Sequence, residues 1–199
     1  MTKKILIPIA LFLMAALLFV ACGGGAGQAP ERGSWDGVTY TNESLGLRFH
    51  LPEGWEVSTD AQLAARMRQA ADVFDDMSLE LIETHSFIDM HAESIATHVS
   101  VQINYERLTG TLTEAQYIEV AQEQFSLLGG EVIPHEETIR IGAYDWHAFD
   151  TRLAMDAASA VTYGRQLLSI HEGFVRLIVI TYYEHSESAD EILQLFTAL

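Results

Sequence analysis

Two imidazoles and a carboxylate, His91, His98 and Asp89, lie close enough along the chain to share a metal ion. Neutral imidazole nitrogens and a carboxylate oxygen are a donor set that suits a divalent cation such as zinc. The flanking segments, Ser86 to Met90 and Val99 to Ile103, alternate apolar and polar residues, as strands with one buried face do. Paired as a hairpin through residues 92–96, they bring His91 opposite His98 on the outer face, with Asp89 diagonally near His98. The same alternation also produces a plain polar face with no metal on it, and both readings stand at this stage. Other motifs stop short. His135-Glu136-Glu137-Thr138-Ile139 starts like H-E-x-x-H but has Ile139 where the second ligand belongs. His91-Ala92-Glu93 opens like a zinc deaminase signature, yet no P-C-x-x-C completes it. The glycine-rich stretch 23–27 lacks the G-K-[ST] of a phosphate loop, and there is no G-x-S-x-G elbow. Asp72, Asp75 and Asp76 do not have calcium-loop spacing.

The elements that must position these residues are legible from periodicity. Val38 to Thr41 and Leu45 to Leu51 read as a hairpin, and Pro52-Glu53-Gly54 as the turn before Trp55. Ser58-Thr59-Asp60 caps a helix whose Leu63, Met67, Ala70 and Phe74 share one face. A second helix opens with the capping box Thr113-x-x-Gln116, presents Ile118, Ala121, Phe125 and Leu128, and stops at Gly129-Gly130. A third starts at Ser188-x-x-Glu191, with Ile192, Leu195 and Leu199 facing inward. Between them, residues 85–92, 98–105, 132–141, 144–155, 162–171 and 174–183 read as strands, the last two joined by the turn His171-Glu172-Gly173. The stretch Phe174 to Tyr183 is apolar on both faces, so it needs cover on both sides. The expected architecture is α+β, a mostly antiparallel central sheet with helices over both faces. Tyr182, Tyr183 and Trp146 are candidates for a ligand groove, although aromatic residues on strands usually belong to the core.

The start of the sequence says where such a domain lives. Lys3 and Lys4 precede an apolar run from Ile5 to Ala21, the arrangement of an export signal. Leu18-Phe19-Val20-Ala21-Cys22 resembles the lipobox of bacterial lipoproteins, with Phe19 where Leu is usual. The resemblance implies that Cys22 receives a thioether-linked diacylglycerol and becomes the mature N-terminus. The expected organisation is a signal peptide over 1–21, a lipidated cysteine and flexible tether over 22–34, and one globular domain over 35–199.

Tyr40-Thr41-Asn42-Glu43-Ser44-Leu45-Gly46-Leu47-Arg48-Phe49-His50-Leu51-Pro52-Glu53-Gly54-Trp55 resembles the opening of PsbP-like domains and their bacterial lipoprotein relatives. Glu172-Gly173-Phe174 and Asp190-Glu191-Ile192-Leu193 resemble the ending. The resemblance implies a PsbP-like sandwich in which Asn42, Gly46, Pro52, Gly54 and Trp55 are structural, and it implies no catalytic residue. Physically, Gly46 permits a bend, Pro52 and Gly54 fix a turn, and Trp55 closes the core.

Charge narrows the partners. The formal net charge is −17, and the only lysines, Lys3 and Lys4, lie in the leading segment. Nucleic acid is excluded as a partner for want of a basic footprint. Schiff-base chemistry has no lysine to use beyond that segment, and a single cysteine allows no internal disulfide. The expectation is a non-enzymatic lipoprotein, anchored through Cys22 on the extracytoplasmic face of the cell membrane, that serves an envelope protein as a binding or accessory module. It needs no cofactor. The alternatives are a divalent-metal protein or metal-dependent enzyme using His91, His98 and Asp89, and a solute-binding lipoprotein.

Overall fold

The strand that is apolar on both faces does lie in the middle of a sheet. In the computed structural model, residues 29–71, 85–108, 110–154, 161–184 and 186–199 are described. In chain order the strands are β1 (Ser34–Asp36), β2 (Thr39–Asn42), β3 (Leu47–His50), β4 (Trp55–Val57), β5 (Ser86–Ser94), β6 (Ser100–Arg107), β7 (Glu131–Ile141), β8 (Tyr144–Ala154), β9 (Val161–His171), β10 (Phe174–Tyr183) and β11 (Phe196–Ala198). The helices are α1 (Asp60–Ala71), α2 (Glu114–Leu127) and α3 (Ala189–Leu193). Seven strands form the large sheet, in the order β4-β5-β6-β10-β9-β8-β7, and four form a small one, β1-β2-β3-β11. Every pairing is antiparallel.

The α+β class and the antiparallel central sheet are as expected. The cover differs. Helices lie on both faces, but on one face the small sheet does most of the covering, with α3 beside it. Tyr40, Leu45, Leu47 and Phe49 from that sheet meet Met90, Val101, Ile103 and Ile178 in the larger core. On the other face, Tyr117, Ile118 and Ala121 of α2 pack on Phe149, Leu168, Val175 and Leu177, and Leu63 and Met67 of α1 are buried beside β5. Gln102 and Asn104, on the polar side of the alternation along β6, are therefore buried. A side chain such as Phe49 contributes ~2 kcal/mol when taken out of water, and its ring lies 5.0 Å from that of Phe196.

Both capping boxes form, at Thr113 with Gln116 and at Ser188 with Glu191. The helix after Ser188 is only five residues long, however. The chain then turns and pairs β11 with β3, Phe196 opposite Phe49. Leu199 is consequently half exposed rather than inward. Leu128, at the end of α2, also faces outward. The side chain of Ala70, and residues Asp72, Phe74, Asp75, Asp76 and Met155, lie outside what is described.

Gly46 does more than bend the chain. It has φ +62°, and a Cβ there would come within 2.8 Å of the Cβ of Ala143. Its neighbour across the gap is Gly142, φ +61°, where a Cβ would fall 2.5 Å from the Leu45 carbonyl oxygen. The turn after β2 and the turn after β7 thus meet backbone to backbone, and the Ala143 N–H donates to the Leu45 carbonyl at 2.9 Å. Side chains at either glycine would hold the two sheets apart. Gly54 has φ +79° with open space around it, so its role is the turn alone. Trp55 is half-buried at the edge of the core, its ring 6.4 Å from Phe49. Trp146 is the fully buried tryptophan, and its indole N–H donates to the Ile141 carbonyl at 3.0 Å, which makes it core rather than groove.

Candidate functional site

Cys22 and the whole apolar run lie outside the described residues. Among the described residues no helix is long and apolar enough to cross a membrane. His91, His98 and Asp89 are described, and they do not converge. The strands β5 and β6 do pair, but His91 faces Gln102, and His98 sits in the connecting turn with φ 58°. Two features separate them: the turn follows Ser94, whose N–H donates to the Val99 carbonyl at 2.8 Å, so His98 falls in the turn instead of opposite His91, and a bulge displaces Asp89. Ile88 stands opposite Asn104 and Met90 opposite Ile103, which leaves Asp89 as an extra residue in β5. A bulge breaks the alternation of faces, so Asp89 reaches the small sheet while His91 lies on the helix side. His91 is 3 % exposed, with Nδ1 2.9 Å from Ser58 Oγ. Burial holds its pKa down to about 3, and the Arg66 charge adds to the effect. His98 is exposed and pairs with Glu93 at 3.1 Å. Among the described residues no group of three or more His, Cys, Asp or Glu is placed to hold a metal ion.

Asp89 instead organises a buried polar knot. Its carboxylate accepts from the Tyr40 hydroxyl, from Asn42 Nδ2 at 2.8 Å and from the Gly33 N–H at 3.2 Å. Asn42 Nδ2 also lies 3.1 Å from the Tyr105 hydroxyl, and its Oδ1 accepts the Leu45 N–H at 2.8 Å. Burial pushes the Asp89 carboxyl above its ordinary range, and the donors of Tyr40, Gly33 and Asn42 pull it back down. The asparagine of the opening motif is therefore the rivet between the sheets. Gly33 is required here too, since a Cβ on it would strike the Tyr40 ring at 2.4 Å.

A second polar cluster is likewise closed. Arg165 on β9 grips Asp150 on β8 with two hydrogen bonds, 2.7 and 3.1 Å, and also meets Asp190 at the start of α3. His135 Nε2 lies 3.0 Å from the same Asp150. Burial raises the Asp150 pKa, but the hydrogen bonds from Arg165 and His135 outweigh it, and the net shift is downward. Beside this cluster Tyr163 and Tyr182 stack with ring centroids 5.6 Å apart.

Arg176 is different. It is the one charged residue of β10, on the face that carries Ile178 and Ile180. In register it lies opposite Tyr105 on one side and Ser169 on the other. It is 4 % exposed, yet among the described residues it has no salt-bridge partner, and Nε and Nη1 have no acceptor there. Its guanidinium lies 4.3 Å over the Tyr144 ring. Arg176 lines a cavity of about 410 Å³, between the incoming chain at Ala29–Glu31 and the β9–β10 turn. Tyr144, His171 and Phe174 form ring walls, with Glu31 and Glu172 as the carboxylates. The tyrosine and histidine rings stand 5.5 Å apart. Its volume is that of small-molecule sites, and its lining, with three rings among it, is more polar than apolar. A buried cation with free donors can take an anionic oxygen pair from a ligand. The sequence signal for this site is the lone Arg in an otherwise apolar ten-residue strand, which periodicity alone does not single out.

No family model matches this chain, and no curated protein matches it. Among solved structures it is similar to LpqN of Mycobacterium tuberculosis, described as involved in cell envelope biogenesis. The identity is 11 % over 75 % of this chain and 75 % of that one, with a TM-score of 0.40.

Proposed function

We propose that this chain is a lipid-anchored module on the extracytoplasmic face of a cell membrane, PsbP-like in kind, which binds a component of the envelope rather than transforming it. The reading is supported by the lipobox-like end of the apolar run at Cys22. The observation that carries it is how soon after Cys22 the chain is built into the domain. Glu31 accepts from the Ser44 hydroxyl through its carbonyl, Arg32 lies 5.1 Å over the Phe87 ring, and the Gly33 N–H is held by Asp89. Within the stretch 22–34 expected as tether, residues 31–33 are thus in contact with the domain. Two or three acyl chains hold such a domain stably on a bilayer. It stands close to the lipid surface, with the Arg176 cavity beside the point where the tether enters.

The test is metabolic labelling with palmitate, followed by intact mass and membrane fractionation. The expected product carries label, begins at Cys22 and sediments with membranes, whereas Cys22→Ser remains unlabelled. Unlabelled wild-type chain that still carries Met1 would overturn the proposal. Co-purification from detergent-solubilised membranes then reads the accessory role, and recovery of no envelope protein would count against that half.

A further inference from the structure

We infer that the Arg176 cavity binds a small zwitterion, a free amino acid or the like, through its carboxylate and its ammonium group together. The inference rests on reading this chain as a binding module and adds the class of ligand. A guanidinium keeps its charge at physiological pH, and a buried charge is tolerated when it is paired. Among the described residues nothing pairs with Arg176, although Glu31 and Glu172 line the same cavity. A carboxylate entering from the cavity gives the guanidinium the anionic partner that the described residues withhold.

The carboxylates of the wall then select among anions. A phosphate would bring two negative charges toward Glu31 and Glu172, in a chain of formal net charge −17. A zwitterion brings none in sum, and its ammonium finds those two side chains as partners. The rings of Tyr144, His171 and Phe174 form walls that suit an apolar or aromatic side chain. Ala29 to Glu31 forms the remaining wall, so an occupied site also fastens the membrane-side end of the chain to the domain.

The experiment is calorimetric titration of the full chain in detergent with L-phenylalanine, phenylacetate, phenethylamine and inorganic phosphate. The expected order is L-phenylalanine tightest, phenylacetate weaker, and phenethylamine and phosphate without measurable heat. Arg176→Met is expected to weaken L-phenylalanine by at least about tenfold, the usual loss of a charge-assisted hydrogen bond. Glu31→Gln is expected to weaken L-phenylalanine while leaving phenylacetate unchanged. Near-ultraviolet dichroism of the buried Trp146 shows that each variant is folded. No binding of L-phenylalanine to folded wild-type chain, unchanged affinity in folded Arg176→Met, or phosphate binding tighter than either carboxylate would each overturn the inference. A chain that carries label on Cys22 but binds no L-phenylalanine refutes the ligand alone. A chain that binds it without acylation refutes the anchor alone.

Discussion

Asp89 and Arg176 project from the same face of the large sheet, with Tyr105 between them, and they meet opposite fates. The carboxylate is surrounded by three donors, two of them from β2, while the guanidinium has an aromatic ring and unused N–H groups. Both are buried charges, and both lie near the junction of the two sheets. A buried ion that is fully hydrogen-bonded can hold a fold in one arrangement. One left open raises the energy of the empty state and is relieved by a partner. The difference separates a group kept for architecture from one kept for recognition.

The comparison is broken most severely by removing the rivet. Asn42→Ala takes three donor contacts and one acceptor from the knot and leaves Asp89 short of partners. The expected cost is about 3–4 kcal/mol in urea unfolding. A loss below about 1 kcal/mol would mean that the knot is not structural.

The next largest effect lies on the helix side of the sheet, where Glu106 and His91 set up opposing pH dependences. Burial raises Glu106 to about 7, while the Tyr117 hydroxyl draws it back, and His91 is held at about 3. The folded chain binds a proton at Glu106 that the unfolded chain releases above pH ~4.5, so this residue lowers stability as pH rises from there to about 7. The unfolded chain protonates His91 below pH ~6.5 and the folded chain does not, so this residue lowers stability as pH falls from there to about 3. The two slopes offset one another between pH ~4.5 and ~6.5. Glu106→Gln is expected to unmask a rise in stability with pH of roughly 2–3 kcal/mol across that window, and His91→Gln a fall of similar size. Equal slopes in the two variants would show that neither group titrates as its burial dictates.

Arg176→Met sharpens the contrast with the opposite sign. Replacing an unpaired buried charge by an apolar side chain of similar length is expected to stabilise the empty chain by about 1–2 kcal/mol. Arg165→Met, which abandons Asp150 and Asp190, is expected to destabilise it. If Arg176→Met loses more than Arg165→Met, the comparison fails. The smallest change is expected at the exposed pair Arg140–Asp145, 3.2 Å apart, where Arg140→Ala should shift stability by less than ~0.5 kcal/mol.

The parts legible in the sequence were those written in short periods. The capping boxes, the strand apolar on both faces and the two-residue turn Glu172-Gly173, where both residues have positive φ, are local patterns with local causes. What escaped depended on partners far along the chain. The bulge at Asp89 answers to Tyr40 and Asn42 more than forty residues earlier, so counting alternate residues placed Asp89 with His91 on the wrong face. The second layer was missed because β1, β2, β3 and β11 are three or four residues long, and β11 reads as a helix tail. Gly46 was recognised as a bend, but its contact with Gly142 has no signature in either segment. Arg176 is hidden in a strand that reads as apolar on both faces, and its meaning needs the wall contributed by residues 29–31 and the β9–β10 turn.

A sheet closed by its last strand has a consequence for biogenesis. β11 inserts beside β3, and the N–H of Leu199 donates to the carbonyl of Gly46 at 3.0 Å. A strand cannot pair before it is synthesised, and contacts so distant in sequence form late. Until Phe196 has emerged, Phe49 lacks its companion and the smaller layer stays ajar. On the export reading proposed above, that delay would keep the chain slack through a translocation channel and lock it only on the far side.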